Sequence, residues 1–176
     1  MINRILTGAA LAAVLMVSAQ SAEAQRPVTV GLAAGVSAPI GDFADSHKMG
    51  WNATGSLGFN FPASAVGVRF EGFYNSFEGE DDGILSNPKA TIAGATANAL
   101  YHLGGQTVRP YVIGGVGAYN SKIEGGASET DFGINAGLGF KFGLGTLTTF
   151  AEARLHTVSA DPEDFQFIPV TFGIEF

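Results

Sequence analysis

The 176-residue chain contains no cysteine, only 14% charged residues, and nine lysines and arginines against sixteen aspartates and glutamates. Without thiols, a disulfide framework and a lipid-anchored N-terminal cysteine are both excluded. The formal net charge of -7 argues against nucleic acid as a partner, because a phosphate backbone attracts basic faces. Beyond the N-terminal segment no apolar run approaches the roughly 20 residues of a membrane-spanning helix. Yet 46% of the residues are hydrophobic and the mean hydropathy is +0.23, apolar for an exported chain. The hydrophobic surface is therefore spread in short pieces.

The N-terminus has its own logic. A cationic start around Arg4 precedes an apolar run from Ile5 to Val17, and Ala22-Glu23-Ala24 forms a small-x-small cleavage pattern. The run is too short to span and ends in a processing site, so residues 1–24 are expected to be a cleavable signal peptide and 25–176 one mature domain.

In that domain apolar side chains recur at every second position, the period of a half-buried strand. Val28, Val30, Leu32, Ala34 and Val36 alternate with Thr29, Gly31, Gly35 and Ser37. Trp51, Ala53, Leu57 and Phe59 oppose Asn52, Thr54 and Ser56; Val66, Val68, Phe70 and Tyr74 oppose Arg69, Glu71 and Asn75. Ala93 to Tyr101 sets alanines against Thr96, Asn98 and His102, while Tyr111, Ile113 and Tyr119 share a face in a fifth segment that Val112 and Val116 blur. Phe132, Ile134, Leu138, Phe140 and Phe142 oppose Asn135, Lys141 and glycines; Ala151, Ala153 and Leu155 oppose Glu152, Arg154 and His156. The chain closes on Ile168, Val170, Phe172, Ile174 and Phe176, alternating with Pro169, Thr171, Gly173 and Glu175.

About eight strands of roughly ten residues are thus expected, the length that crosses an outer membrane when tilted. Long polar links at Pro39–Gly50, Glu78–Lys89, Ser121–Thr130 and Ala160–Gln166 alternate with tight ones at Pro62–Ala65, Leu103–Val108 and Gly143–Thr146. The pattern predicts an all-β fold: an eight-stranded antiparallel up-and-down transmembrane β-barrel, with short periplasmic turns, long extracellular loops and both termini periplasmic. Ionised residues on the polar faces suit a barrel lumen better than a soluble core. Phe59, Phe61, Tyr101, Tyr111, Phe140, Phe142 and Phe176 are expected in a periplasmic aromatic girdle, with Trp51, Tyr74, Tyr119 and Phe132 in an outer one.

The terminal Phe176, with Val170, Phe172 and Ile174 before it, resembles the C-terminal sorting signal of Gram-negative outer-membrane proteins. In that family it is read by the barrel assembly machinery. With Gly35 to Phe43 and Arg109 to Gly117, the mature chain resembles the small outer-membrane barrels that include the OmpA transmembrane domain, OmpX and the opacity proteins. The resemblance implies residence in the outer membrane of a diderm bacterium, contact with its lipid and lipopolysaccharide, a single copy, and no cofactor. Unlike full OmpA, the chain is expected to stop at the barrel, without a peptidoglycan-binding domain.

Function then rests on the lumen. Eight strands leave a bore that side chains can fill, so a general porin is not expected. Strands three and seven face each other across such a ring, bringing Arg69 and Glu71 opposite Glu152 and Arg154, with Lys141 and Glu175 completing an ion-pair network like the plug of the OmpA lumen. A narrow gated path for small solutes is the alternative, and a lipid A hydrolase the third reading. Glu152, His156 and Ser159 are the residue types such a hydrolase needs, but His156 and Ser159 differ in strand parity. The lipid A deacylase barrels have their serine two residues after the histidine, where this chain has Val158. No catalytic residue is therefore assigned. His47 and His102 lack evident ligand partners, and Glu78 to Gly83 lacks the spaced oxygens of a calcium loop, so no metal is expected. Gly114 to Gly117 is not a phosphate loop, because no helix follows it.

Overall fold

The computed structural model describes residues 27–61, 63–79, 88–105, 107–144, 147–160 and 164–176. The segment expected to be a signal peptide and the acidic stretch Glu80 to Gly83 lie outside the described residues. Eight strands close into one antiparallel barrel in sequence order: β1 Val28–Ile40, β2 Gly50–Asn60, β3 Val66–Phe77, β4 Ala90–His102, β5 Val108–Ile123, β6 Ser128–Leu144, β7 Leu147–Ser159 and β8 Phe165–Glu175. A short helix, α1 (Asp42–Ser46), lies in the link after β1.

Closure follows from the alternation, since every strand needs two hydrogen-bonded neighbours and a ring leaves no edge. Val30, Leu57, Phe70, Ala97, Val116, Ile134, Thr157 and Gln166 are successive partners, and the step back to β1 lands on Ile40, ten residues beyond the start. A stagger of that kind accompanies strands tilted by roughly 35–45°. The even strand count brings both chain ends to one rim, where Val30 and Phe176 exchange backbone hydrogen bonds at 3.3 and 2.9 Å.

The apolar faces point outward. Leu32, Trp51, Phe70, Val116, Phe132, Ile134, Leu138 and Phe172 are all exposed, Phe132 at 80%, whereas Arg69, Glu71, Glu152, Arg154 and Glu175 are buried. In a soluble protein this arrangement would be inverted. Among the described residues no helix is long and apolar enough to cross a membrane; the outward-facing apolar band is carried by strands.

Two expectations need correction. Tyr111 and Tyr119 are not girdle residues: they are 1% and 0% exposed and stand in the lumen, because each hydroxyl finds a polar partner only there. The lipid face of β5 is instead Val108, Val112 and Val116. The link Ser121–Thr130 is not a long loop either. β5 and β6 pair through Lys122 and Ser128, leaving only Glu124–Ala127 as a turn, with Gly125 at φ 82. The polar residues there mark a hairpin emerging into water, held on its outer face by Asn120 Nδ2 donating to Thr130 Oγ1 at 2.8 Å.

Candidate functional site

The lumen is filled in two storeys. The lower is ionic. Three antiparallel strands lie between β3 and β7, so the two run the same way, and their sequences are inverted, Arg69-x-Glu71 against Glu152-x-Arg154. Each charge thus meets its opposite across the bore and along its own strand. Arg69 Nη2 bonds Glu152 Oε2, and Arg154 Nη1 reaches Glu71 Oε2 at 2.5 Å. Along the strands Arg69 Nε lies 2.9 Å from Glu71 Oε1 and Arg154 Nε 2.7 Å from Glu152 Oε1. Arg69 Nε and Glu152 Oε1 meet these partners as charge contacts without hydrogen-bond alignment. The result is a closed, neutral ring of four charges, which is how ions tolerate removal from water.

Neighbouring strands satisfy the remaining lone pairs. Asn98 Nδ2 donates to Glu71 Oε2 at 2.9 Å, Thr96 Oγ1 to the same oxygen at 3.3 Å, and Tyr111 O–H to Glu152 Oε2 at 2.7 Å. The Arg69 guanidinium also lies 5.6 Å from the Phe150 ring centroid and 5.9 Å from that of Tyr111. Lys141 and Glu175 form a separate pair at 2.7 Å beside the ring, and Lys141 Nζ lies 5.7 Å from the centroid of Tyr111, which bonds the ring carboxylate Glu152. The structure therefore brings four of the six predicted lumen charges into one ring and sets the other two beside it.

Large side chains fit because glycine stands beside them on the adjacent strand. An added Cβ on Gly139 would meet the Tyr111 ring at 2.4 Å, and one on Gly173 the Phe150 ring at 2.4 Å.

Toward the loops the lumen turns apolar, which sequence reasoning missed. Phe77, Tyr119, Val158 and Phe167 are 0% exposed and pack with Ile92 and Ala90; Phe43, from α1, closes the cluster from above, 5.1 Å from Phe77 and 5.5 Å from Phe165. The signal was available in strand parity: Phe73 and Phe77 share it with Arg69, Ile92 with Thr96, and Phe167 with Glu175. His156 belongs to this storey. Its Nδ1 shares a hydrogen bond with Tyr119 Oη at 2.9 Å, and its ring stacks on Phe167 at 4.9 Å.

The hydrolase residues do not assemble. His156 is 2% exposed inside, whereas Ser159 is exposed and has the parity of the outer wall. Among the described residues no group of three histidines, aspartates or glutamates could hold a metal. The predicted sorting residues Val170 and Phe172 lie on the outer wall, 37% and 65% exposed, with Ile174 and Phe176 partly covered beside them.

No curated protein sequence matches the chain significantly. Solved structures do. Neisserial surface protein A superimposes with a TM-score of 0.66 at 14% identity, covering 85% of this chain and 96% of that one. Ail, the attachment invasion locus protein of Yersinia pestis, gives 0.54 at 15% identity over 85% of this chain and 97% of Ail. The outer membrane enzyme PagL gives 0.50 at 14% identity over 84% of this chain and 98% of PagL. At such identities the shared property is the fold, and PagL shows that this fold can also carry catalysis. A family model for the outer membrane protein β-barrel domain matches residues 7–176, and with the inverted barrel described above it shows that the chain belongs to that family of Gram-negative outer-membrane barrels.

Proposed function

We propose that this barrel is a non-enzymatic component of the outer membrane, structural or surface-contacting, with a closed lumen and loops that meet lipopolysaccharide or an external partner. The observation that carries the reading is the double closure of the bore, the four-charge ring below and the aromatic seal of Phe43, Phe77, Tyr119 and Phe167 above. The side chains of both storeys are buried and packed against one another, which supports a filled bore over a permeation path. The termini share one rim, and in this reading that rim is periplasmic, placing Asp42, Asp45, Glu78 and Asp164 of the longer links, and Glu124 of the β5–β6 turn, outside. The separation of His156 from Ser159 favours a non-catalytic role over a hydrolase.

Planar-bilayer recording of the wild type and Arg69→Ala tests the proposal. Both are expected to show near-zero conductance, because the aromatic seal survives loss of the guanidinium. Steady channels in either protein would replace this reading with the narrow gated pore.

A further inference from the structure

We propose that the mouth of the lumen, at the rim shared by the chain ends, is a binding site for a carboxylate brought by a small organic acid or by the free end of a peptide. Three neighbouring strands converge there on one ring. Tyr111 of β5 forms the floor, with His102 of β4 on one side, ring centroids 5.8 Å apart, and Lys141 Nζ of β6 5.7 Å from the same centroid. Arg109 lies two residues rimward of Tyr111 with the same inward parity, about 7 Å further out at ~3.3 Å per residue, and is the strand partner of Lys141. Lys141, Arg109, Glu175 and Arg69 are the charges that act on the His102 ring, which places Arg109 and Lys141 in one cup with it. The cup is open. Gly143, the inward residue rimward of Lys141, is exposed, and a Cβ built on it would meet nothing within 4 Å.

What identifies the occupant is an unmatched charge. Lys141 is buried and paired with Glu175 at 2.7 Å, and the four-charge ring beneath is neutral, whereas Arg109 is half-buried and makes no ion pair among the described residues. One positive charge therefore stands uncompensated at this mouth, in a chain whose net charge is -7. The short links of the rim, Pro62–Ala65, Leu103–Val108 and Gly143–Thr146, contain no Asp or Glu to offset it. The chain's own terminal carboxyl group is held across the bore: the Phe176 backbone oxygen accepts the Val30 N–H of β1 at 3.3 Å, and β1 stands opposite β5 in a ring of eight. A guanidinium presents parallel N–H groups that match the two oxygens of a carboxylate, and a single surplus charge is neutralised by a monoanion but overshot by dianionic phosphate. The Lys141 ammonium, with donors beyond the one given to Glu175, faces the same space. The compartment of the ligand rests on the orientation proposed above, in which this rim is periplasmic.

The test uses the whole barrel refolded in zwitterionic micelles and titrated at constant pH with N-acetyl-alanyl-alanine, its C-terminal amide, acetate or inorganic phosphate. The His102 ring resonance, one of three histidine signals, reports occupancy of the cup. Wild type is expected to give a saturable shift with the peptide acid and with acetate, and none with the amide. The tighter of those two carboxylates names the source, chain end or free acid. Arg109→Gln should weaken binding on the order of tenfold to a hundredfold, the loss that follows removal of a charged hydrogen-bond donor. Gly143→Phe should weaken it with every charge retained, and Glu175→Gln, which releases Lys141, should tighten it; heat-modifiable gel mobility checks the folding of each variant. An equal shift with the amide, unchanged affinity in Arg109→Gln, or phosphate bound as tightly as acetate would overturn the proposal. Labelling of Thr107→Cys by an impermeant maleimide on intact cells would overturn the periplasmic assignment, whatever the binding result.

Discussion

The charge ring makes a quantitative prediction about its own breakage. Arg69→Leu leaves Glu71 and Glu152 both buried on the single guanidinium of Arg154, an uncompensated negative charge. Breaking a buried pair in this way costs about 3–5 kcal/mol. Glu152→Leu leaves two guanidiniums on Glu71 and should cost about the same, with the added loss of the acceptor for Tyr111. If the two residues acted independently, the double variant would lose roughly 6–10 kcal/mol, the sum of the singles. The ring geometry predicts otherwise. Removing Arg69 and Glu152 together leaves Arg154 and Glu71 as an intact neutral pair at 2.5 Å, and the leucines fill the space with apolar volume. The double variant should therefore fall only about 1–3 kcal/mol below wild type, chiefly for the stranded Tyr111 hydroxyl. Urea unfolding from lipid vesicles measures this directly. Trp51, the sole tryptophan, is half-exposed on the outer wall and changes from lipid to water on unfolding. Additive losses in that double-mutant cycle would refute the cyclic pairing.

Other outcomes follow from the same geometry. Gly139→Ala and Gly173→Ala each drive a methyl into a lumenal ring and should cost about 1–3 kcal/mol, whereas Gly72→Ala, with nothing within 4 Å of its added Cβ, should be neutral or slightly stabilising in the same unfolding assay. His47 packs against Phe43 of α1 with ring centroids 4.5 Å apart, and burial holds its imidazole below the ordinary value of 6.5. The neutral form is thus favoured in the folded loop, so the contribution of His47 is complete above pH 6.5 and is lost as pH falls below it. Amide protection factors at Phe43 to Lys48, corrected for intrinsic exchange, should fall on acidification through that window. The same profile in His47→Phe would refute the assignment of the effect to the imidazole. Deleting Phe176 should reduce the amount of barrel reaching the outer membrane in cells more than it reduces refolding into vesicles. Equal losses in the two measurements would make that residue a matter of barrel stability rather than of recognition during assembly.

The barrel was legible in the sequence because parity is a property of a single strand: Leu57 against Asn52, Phe70 against Arg69 and Phe172 against Thr171 each declare two faces without reference to a neighbour. β5 was harder. Both of its faces are apolar by composition, and aromatic size suggested the lipid side for Tyr111 and Tyr119. Their true side is decided by Glu152 and His156 on a different strand and by Gly139 and Gly133, which leave room for the rings. Composition misled in the same way at Ser121–Thr130, where polar residues report water but not loss of pairing, and the hairpin simply continues past the membrane.

The interior follows a different rule from the wall. A lipid-facing position asks only for an apolar side chain, and many sequences satisfy it. A lumenal position asks for a specific complement from across the bore, and the register of four intervening strand pairs must deliver it. The inverted order Arg69-x-Glu71 and Glu152-x-Arg154 is visible in the sequence, but it becomes a neutral ring only because those pairings set the two motifs at matching heights. Slipping any one of them by two residues would preserve every inward and outward face and still place arginine opposite arginine or, in the other direction, glutamate opposite glutamate. The charge ring therefore acts as a register lock: the wall drives insertion, while the lumen selects which of several equally greasy cylinders is formed.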